Sequence, residues 1–366
     1  MITKQTILLF SAIIVIAGLI FYLDKSRSMP AGQGEVIKLA QADSSIAKKM
    51  LYPEARELAG IAGYLNTNEE EIRIADLIGK KVILIDFWTY SCINCQRTLP
   101  YLTSWYNKYR DQGLEIIGVH TPEFEFEKVK DNVQAAINKW GIEYPVAQDN
   151  DFATWRAYGN QYWPRKYLID IDGYITYDHI GEGGYAETEH KIQIALKERA
   201  QKLDMKESIA AGIVEVKSDL ASGGRVQSPE TYFGAWRNER YAGEKNVVGV
   251  QTMEKPDNIK SNTLYLIGGW NIQEQYAQSA SADAKVIFKY NSQDVFLVGS
   301  SEEEKKLNLL RDGLKLGQEA GLDVVDGEVR IKEDKLYRLI EDNASGEHIL
   351  EIFVPQGVQF YAFTFG

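Results

Sequence analysis

The chain has 366 residues, 45% of them hydrophobic and 25% charged, with 30 Gly and only 9 Pro. That composition excludes collagen-like and proline-rich disordered architectures, and the length favours two domains that each bury a core. The formal charge of -11, from 41 Lys+Arg against 52 Asp+Glu, repels phosphate backbones, and no basic cluster interleaved with aromatics occurs, so nucleic acid is not expected as a partner.

At the N-terminus, Ile7 to Leu23 is an apolar run without a charge, preceded by Lys4. It is at the short end for crossing a bilayer. No A-x-A cleavage signal follows it, so residues 1–25 are expected to form a single uncleaved transmembrane helix rather than a signal peptide. Lys4 and the amino terminus on one side nearly cancel Lys25 and Arg27 on the other, so charge leaves the sidedness open. Residues 26–50, small and polar around Met29-Pro30, read as a tether.

Residues 51–205 alternate strand and helix signals, which implies an α/β domain. Val82 to Phe87 and Leu114 to Val119 are continuous apolar runs, as in buried strands. Val129, Val133, Ala136, Ile137 and Trp140 have helical spacing, as do Ile192, Ala195, Leu196 and Ala200, and each set is read as a core face. Residues 206–228 are polar and glycine-containing, an interdomain linker. Residues 229–366 carry a succession of β-type runs: Thr263 to Ile267, Lys285 to Tyr290, Val295 to Val298, Glu328 to Ile331, Leu336 to Ile340, His348 to Val354 and Val358 to Phe365. Turn signals at Asp326-Gly327 and Ser345-Gly346 separate them, so this part is expected to be an all-β sandwich or jelly roll.

Both cysteines lie in one tetrad, Cys92-Ile93-Asn94-Cys95, just after the strand run. A zinc site needs about four ligands. The four histidines, His120, His179, His190 and His348, are scattered without ligand spacing, so no metal is expected. A structural disulfide closing so small a loop would constrain the unfolded chain little. A redox couple has a mechanism. If a helix starts at the pair and runs through Arg97, Leu99, Leu102 and Trp105, Cys92 lies at its N-terminus, where the dipole and free amides favour an anionic sulfur. Cys92 is then the nucleophile, and Cys95, on the same helical turn, resolves the mixed disulfide by closing a Cys92–Cys95 disulfide. Asp86, a carboxyl in an apolar strand run, is the expected buried proton acceptor for the resolving thiol.

Asp86-Phe87-Trp88, Cys92, Cys95 and Pro100 together resemble the thioredoxin superfamily, and Gln161-Tyr162-Trp163-Pro164-Arg165-Lys166-Tyr167-Leu168-Ile169-Asp170 resembles that family's cis-proline segment. The resemblance implies a thioredoxin fold, a cis bond before Pro164, and substrate contacts from Trp88, Trp163 and Pro164. Trp88 through Tyr101, with Gly118-Val119-His120-Thr121-Pro122-Glu123-Phe124 and Trp155-Arg156-Ala157-Tyr158-Gly159-Asn160, is closer still to the soluble part of the DipZ-type cytochrome c biogenesis proteins. That likeness continues through Ser228-Pro229-Glu230-Thr231-Tyr232 to the terminal Tyr361-Ala362-Phe363-Thr364-Phe365-Gly366. It implies a C-terminal jelly roll resembling carbohydrate-binding domains, a soluble part outside the cytoplasm (periplasmic or cell-surface), and protein thiols and disulfides as substrates; no cofactor is expected. DipZ proteins carry a multi-helix electron-transfer domain that a single apolar segment does not replace. A separate membrane electron donor or acceptor is therefore expected.

Three rival readings stay open: a thioredoxin-fold copper-handling protein using His120, a peroxidase-like redoxin, and a glycan-binding β-sandwich with incidental cysteines. Trp236, Trp270, Tyr232 and Tyr276 are the candidates for a sugar platform in the second domain, against a core role. His120, Glu123, Glu125 and Glu127 are read as a solvated first helical turn, with a catalytic role as the alternative.

Overall fold

The computed structural model describes residues 47–206, 208–216 and 228–366. The predicted anchor (1–25), nearly all of the tether and most of the linker lie outside them. Among the described residues no helix is long and apolar enough to cross a membrane. Ala55–Gly366 forms one compact unit, to which the elements below all belong.

Its first part contains β1 (Gly63–Leu65), α1 (Ile74–Leu77), β2 (Val82–Trp88), α2 (Ile93–Tyr109), β3 (Leu114–His120), α3 (Lys130–Trp140), β4 (Val146–Gln148), α4 (Ala153–Ala157), β5 (Arg165–Ile169), β6 (Ile175–Ile180) and α5 (Tyr185–Lys202). The sheet order is β1-β4-β3-β2-β5-β6. The central β2 is parallel to β3 and antiparallel to β5. This mixed sheet between helices is a thioredoxin fold.

Strand β2 is buried along its whole length, which is why it reads as an unbroken apolar run rather than an alternation. Its pleat sends Val82, Leu84, Asp86 and Trp88 to one face and Ile83, Ile85 and Phe87 to the other. The first set joins a core with Leu99, Leu102 and Trp105 of α2 and with Val133, Ile137, Ile192 and Leu196. The second meets Ile74, Ile117, Val119 and Tyr167. Each such apolar side chain contributes about 1.5–3 kcal/mol by leaving water. The predicted helical faces are core, with one correction: Val129 is 49% exposed, because it sits at the N-cap of α3 rather than within it. That helix stops at Gly141, whose φ of 60° is the left-handed conformation glycine permits.

The second part is a large antiparallel sheet of β7 (Thr231–Tyr232), β8 (Gly249–Met253), β9 (Leu264–Ile272), β10 (Ala277–Ser279), β11 (Lys285–Ser300), β12 (Lys305–Arg311), β13 (Leu314–Lys315), β14 (Val324–Val325), β15 (Glu328–Ile331), β16 (Lys335–Phe353) and β17 (Gln359–Phe365). Strand β11 pairs with β16, β17 and β9, and β10 joins β9 to β17. The circuit β11–β17–β10–β9–β11 closes a ring around the core of Trp270, Phe288, Leu297 and Phe360.

Two pairs of predicted strands prove to be single long ones. Lys285 to Tyr290 and Val295 to Val298 merge in β11, which bends through register shifts at Ser292/Asp294 and Val295/Phe296. Ser345-Gly346, read as a turn, lies inside β16, with Gly346 paired to Ser292. Asp326-Gly327 is a true turn, both residues having positive φ between β14 and β15.

The two parts share one core. Phe296, Val298, Leu336, Tyr361 and Ala362 of the antiparallel sheet belong to the same buried cluster as Cys95, Leu99 and Trp105.

Candidate active site

Helix α2 begins at the cysteine pair. Cys92 is its N-cap, with extended backbone angles, and its sulfur accepts a hydrogen bond from the Cys95 amide at 3.3 Å. Cys92 is half-buried while Cys95 is buried, and both are free thiols. The Cys92 Sγ also approaches the carbonyl oxygen of Trp163 at 4.0 Å, the residue joined by a cis bond to Pro164. The reactive edge of the site is therefore one accessible sulfur beside one backbone carbonyl.

Burial pushes the Cys95 thiol up, and the neighbouring Cys92 sulfur and Asp86 carboxyl push it further in the same direction. Asp86 is fully buried on the β2 face that looks towards α2, and neither of its oxygens has a hydrogen-bond partner. Burial raises its carboxyl to about 7, against a smaller opposing pull from Lys166. An acid with that value near neutrality can both take and give a proton.

Trp163 is held in place from two sides. Its indole nitrogen donates to the Thr121 carbonyl at 3.0 Å, and its ring packs on Trp155 with centroids 4.2 Å apart. Asp149 in turn accepts the amides of Thr154 and Trp155 at 3.0 and 2.7 Å, fixing the start of α4. Trp88 is different. It is fully buried and lies over Gly118, where an added Cβ would meet its Nε1 at 2.9 Å. It supports the site from within, which corrects its expected place on the substrate surface.

The acidic stretch is a solvated first turn only at Glu125, whose side chain is exposed. Glu127 is completely buried. One of its oxygens accepts the Ser91 hydroxyl at 2.6 Å, and the other accepts the amides of Glu123 and Phe124 at 2.5 and 3.0 Å. It pins the residue preceding Cys92. His120 is also buried, edge-on to Trp88 and stacked on Tyr90, and burial lowers its ring to about 3. It is neutral at physiological pH.

The antiparallel sheet reaches this region directly. Arg97, two residues after Cys95, contacts Glu182 and Asp294 of β11, each at 3.4 Å. Glu123 accepts Tyr232 and Arg237 at 2.8 and 2.7 Å, and Tyr361 packs edge-on to Phe124 and Phe126. Of the four candidates for a sugar platform, Trp270 is core, its indole nitrogen spent on the Ile267 carbonyl, and Tyr232 is engaged by Glu123, Glu230 and Arg237. Trp236, 61% exposed, and Tyr276 do share a groove of about 370 Å³ with Gln273, Glu274 and Gln275.

One group of three carboxylates among the described residues, Asp170, Asp172 and Glu198, is drawn close enough to hold a cation. Lys202 bridges Asp172 and Glu198 there and supplies the positive charge itself.

Fold and site define a thioredoxin-like dithiol protein with a second, antiparallel domain. The AhpC/TSA family profile matches residues 55–178, and the thioredoxin like C-terminal domain profile matches 228–366. Protein DipZ of Mycobacterium tuberculosis is 35% identical over 314 residues, 85% of this chain and 43% of that protein. Thiol-disulfide oxidoreductase YkuV of Bacillus subtilis is 31% identical over 39% of this chain and 93% of its own length. Thiol-disulfide oxidoreductase ResA of Bacillus thuringiensis is 33% identical over 35% of this chain and 68% of its own. The chain belongs to the thioredoxin-like thiol-disulfide oxidoreductases, and it spans less than half the length of the DipZ protein it matches.

Proposed function

We infer that this chain is an extracytoplasmic, membrane-tethered thiol:disulfide oxidoreductase acting on protein thiols and disulfides, in the chemistry of disulfide reduction or cytochrome c maturation. Cys92 attacks the partner disulfide, Cys95 resolves the mixed disulfide, and Asp86 takes the Cys95 proton. The observation that carries this reading is the asymmetry of the pair: Cys92 is accessible at a helix N-cap beside the Trp163 carbonyl, and Cys95 is buried behind it. The tether rests on the apolar run Ile7 to Leu23 and on the likeness to DipZ, and electrons pass to or from a separate membrane partner. In the second domain, a jelly roll in this reading, the groove at Trp236 and Tyr276 offers a ring face flanked by amides and a carboxylate. That chemistry suits a glycan.

The test is direct. The reduced full chain should reduce a protein disulfide such as that of insulin, Cys92→Ser should abolish the reaction, and Cys95→Ala should accumulate a Cys92-linked mixed disulfide detectable by mass. Full activity in Cys92→Ser, or hydrogen peroxide consumption without any disulfide exchange, sinks the reading; the second outcome would establish the peroxidase alternative.

A further inference from the structure

The two halves of the chain leave a cavity of about 490 Å³ between them, in the size range of ligand sites. On one side stand Tyr90, Gln96 and the Ala135–Ala136 face of α3; on the other stand Ser301, after β11, and the turn of residues 332–334 that leads into β16. Tyr90 is 6% exposed and Ser301 7%, and neither hydroxyl has a hydrogen-bond partner among the described residues. Buried polar groups are ordinarily partnered, and an unmet one costs about 1–3 kcal/mol. The Ser301 backbone is fixed, its amide donating to the Lys332 carbonyl at 3.1 Å. The Asp334 carboxylate lies near enough to the Tyr90 hydroxyl to act on it. Two unmet hydroxyls, one from each half, thus border the same space.

The rest of the lining is of mixed character. Lys335 is taken up by Asp323 and Glu333, whereas Lys332, Glu302 and Asp334 make no ion pair among the described residues. Trp140 and Leu336 add an apolar wall. A polypeptide suits this set, because its amides both give and accept hydrogen bonds and its side chains bring both charges and apolar groups. An inorganic anion would meet the carboxylates as like charges and leave the apolar wall unused. The cavity also adjoins the dithiol along the chain. Tyr90 is two residues before Cys92, and Gln96 follows Cys95, its side-chain amide donating to the Tyr90 carbonyl at 2.7 Å. The Cα atoms of Tyr90 and Cys92 are therefore within about 8 Å of each other, a gap that about three extended residues span.

We propose that this cavity is a subsite for the substrate polypeptide: while the substrate disulfide meets Cys92, a neighbouring extended segment of the same substrate chain lies between α3 and the β15–β16 turn, its backbone groups on the Tyr90 and Ser301 hydroxyls. The proposal rests on the dithiol reading above. In this arrangement the antiparallel domain forms one wall of the substrate site and favours disulfides carried on a polypeptide over short ones.

The reduced full chain is given two symmetric peptide disulfides with the same residues next to the cysteine. One has a single residue on each side of it, and the other has six, Lys and Glu among them. The wild type is expected to favour the long peptide about tenfold in kcat/KM. Ala135 is on the exposed face of α3, so Ala135→Trp fills the cavity from outside the core and should bring that ratio down to about one. Ser301→Ala, which removes one hydroxyl, should lower it to about threefold. If Ala135→Trp does not fold, Lys332→Trp fills the cavity from the opposite wall. Absence of a preference in the wild type, or a ratio kept by the filled variant even as both rates fall, overturns the proposal. Failure of the wild type to reduce either peptide or a small aromatic disulfide overturns the dithiol reading itself.

Discussion

Two buried groups near the cysteines pull the pH dependence of stability in opposite directions. Asp86 titrates at about 7 in the folded chain and at about 4 when unfolded, so the folded state holds the extra proton and stability is lost as pH rises through that window. His120 titrates at about 3 when folded and at about 6.5 when unfolded. Here the unfolded state holds the extra proton, and stability is lost as pH falls. Each slope approaches about 1.4 kcal/mol per pH unit between about pH 5 and 6. Relative to wild type, Asp86→Asn should make stability rise more steeply with pH over that range, and His120→Gln should make it fall. Urea titrations at three or four pH values measure both, and parallel curves would contradict the assignment. At this scale the sequence made the cysteine tetrad and Asp86 visible, because a charge inside an apolar strand has few ordinary explanations. Lys166 carries the same signal on the next strand over, but its meaning depends on a cross-strand register that one sequence does not contain. Glu127 was hidden for a different reason: a carboxylate before a helix looks solvated unless the loop folding back over it is known.

At the scale of elements, strands β2 and β3 leave no room between them and the segment before β4. Gly118 is in extended backbone, so its role is space rather than conformation: a Cβ there would lie 2.9 Å from Trp88 Nε1 and 3.2 Å from the Tyr144 ring. Gly118→Ala should therefore destabilise the fold by about 1–3 kcal/mol, read as a lower urea midpoint with an unchanged slope, while Gly357→Ala, where an added Cβ meets no neighbour, shifts mainly through backbone strain at its positive φ. The α/β elements were legible because continuous apolar runs and helical spacing survive in a single sequence. The antiparallel part was legible in type and poorly legible in extent. Periodicity reports which residues are buried, but a bulge that bends a strand from one set of partners to another, as at Ser292/Asp294, looks like a loop. The two-residue strands β7, β13 and β14 carry too short a pattern to register at all.

At the scale of the whole molecule, the shared core predicts a single cooperative unfolding transition for residues 55–366. Phe296, Val298, Leu336 and Tyr361 cannot leave the cluster containing Leu99 and Trp105 without exposing both sides. Calorimetry should give one peak whose midpoint matches that of near-ultraviolet dichroism; two separated peaks would show independent domains. The same cluster limits what can be exchanged between relatives. YkuV is matched along 93% of its length by only 39% of this chain, so a thioredoxin unit of that size exists without this partner sheet. Because the two halves share this cluster, substitutions on either side of their junction should be compatible only in matched sets.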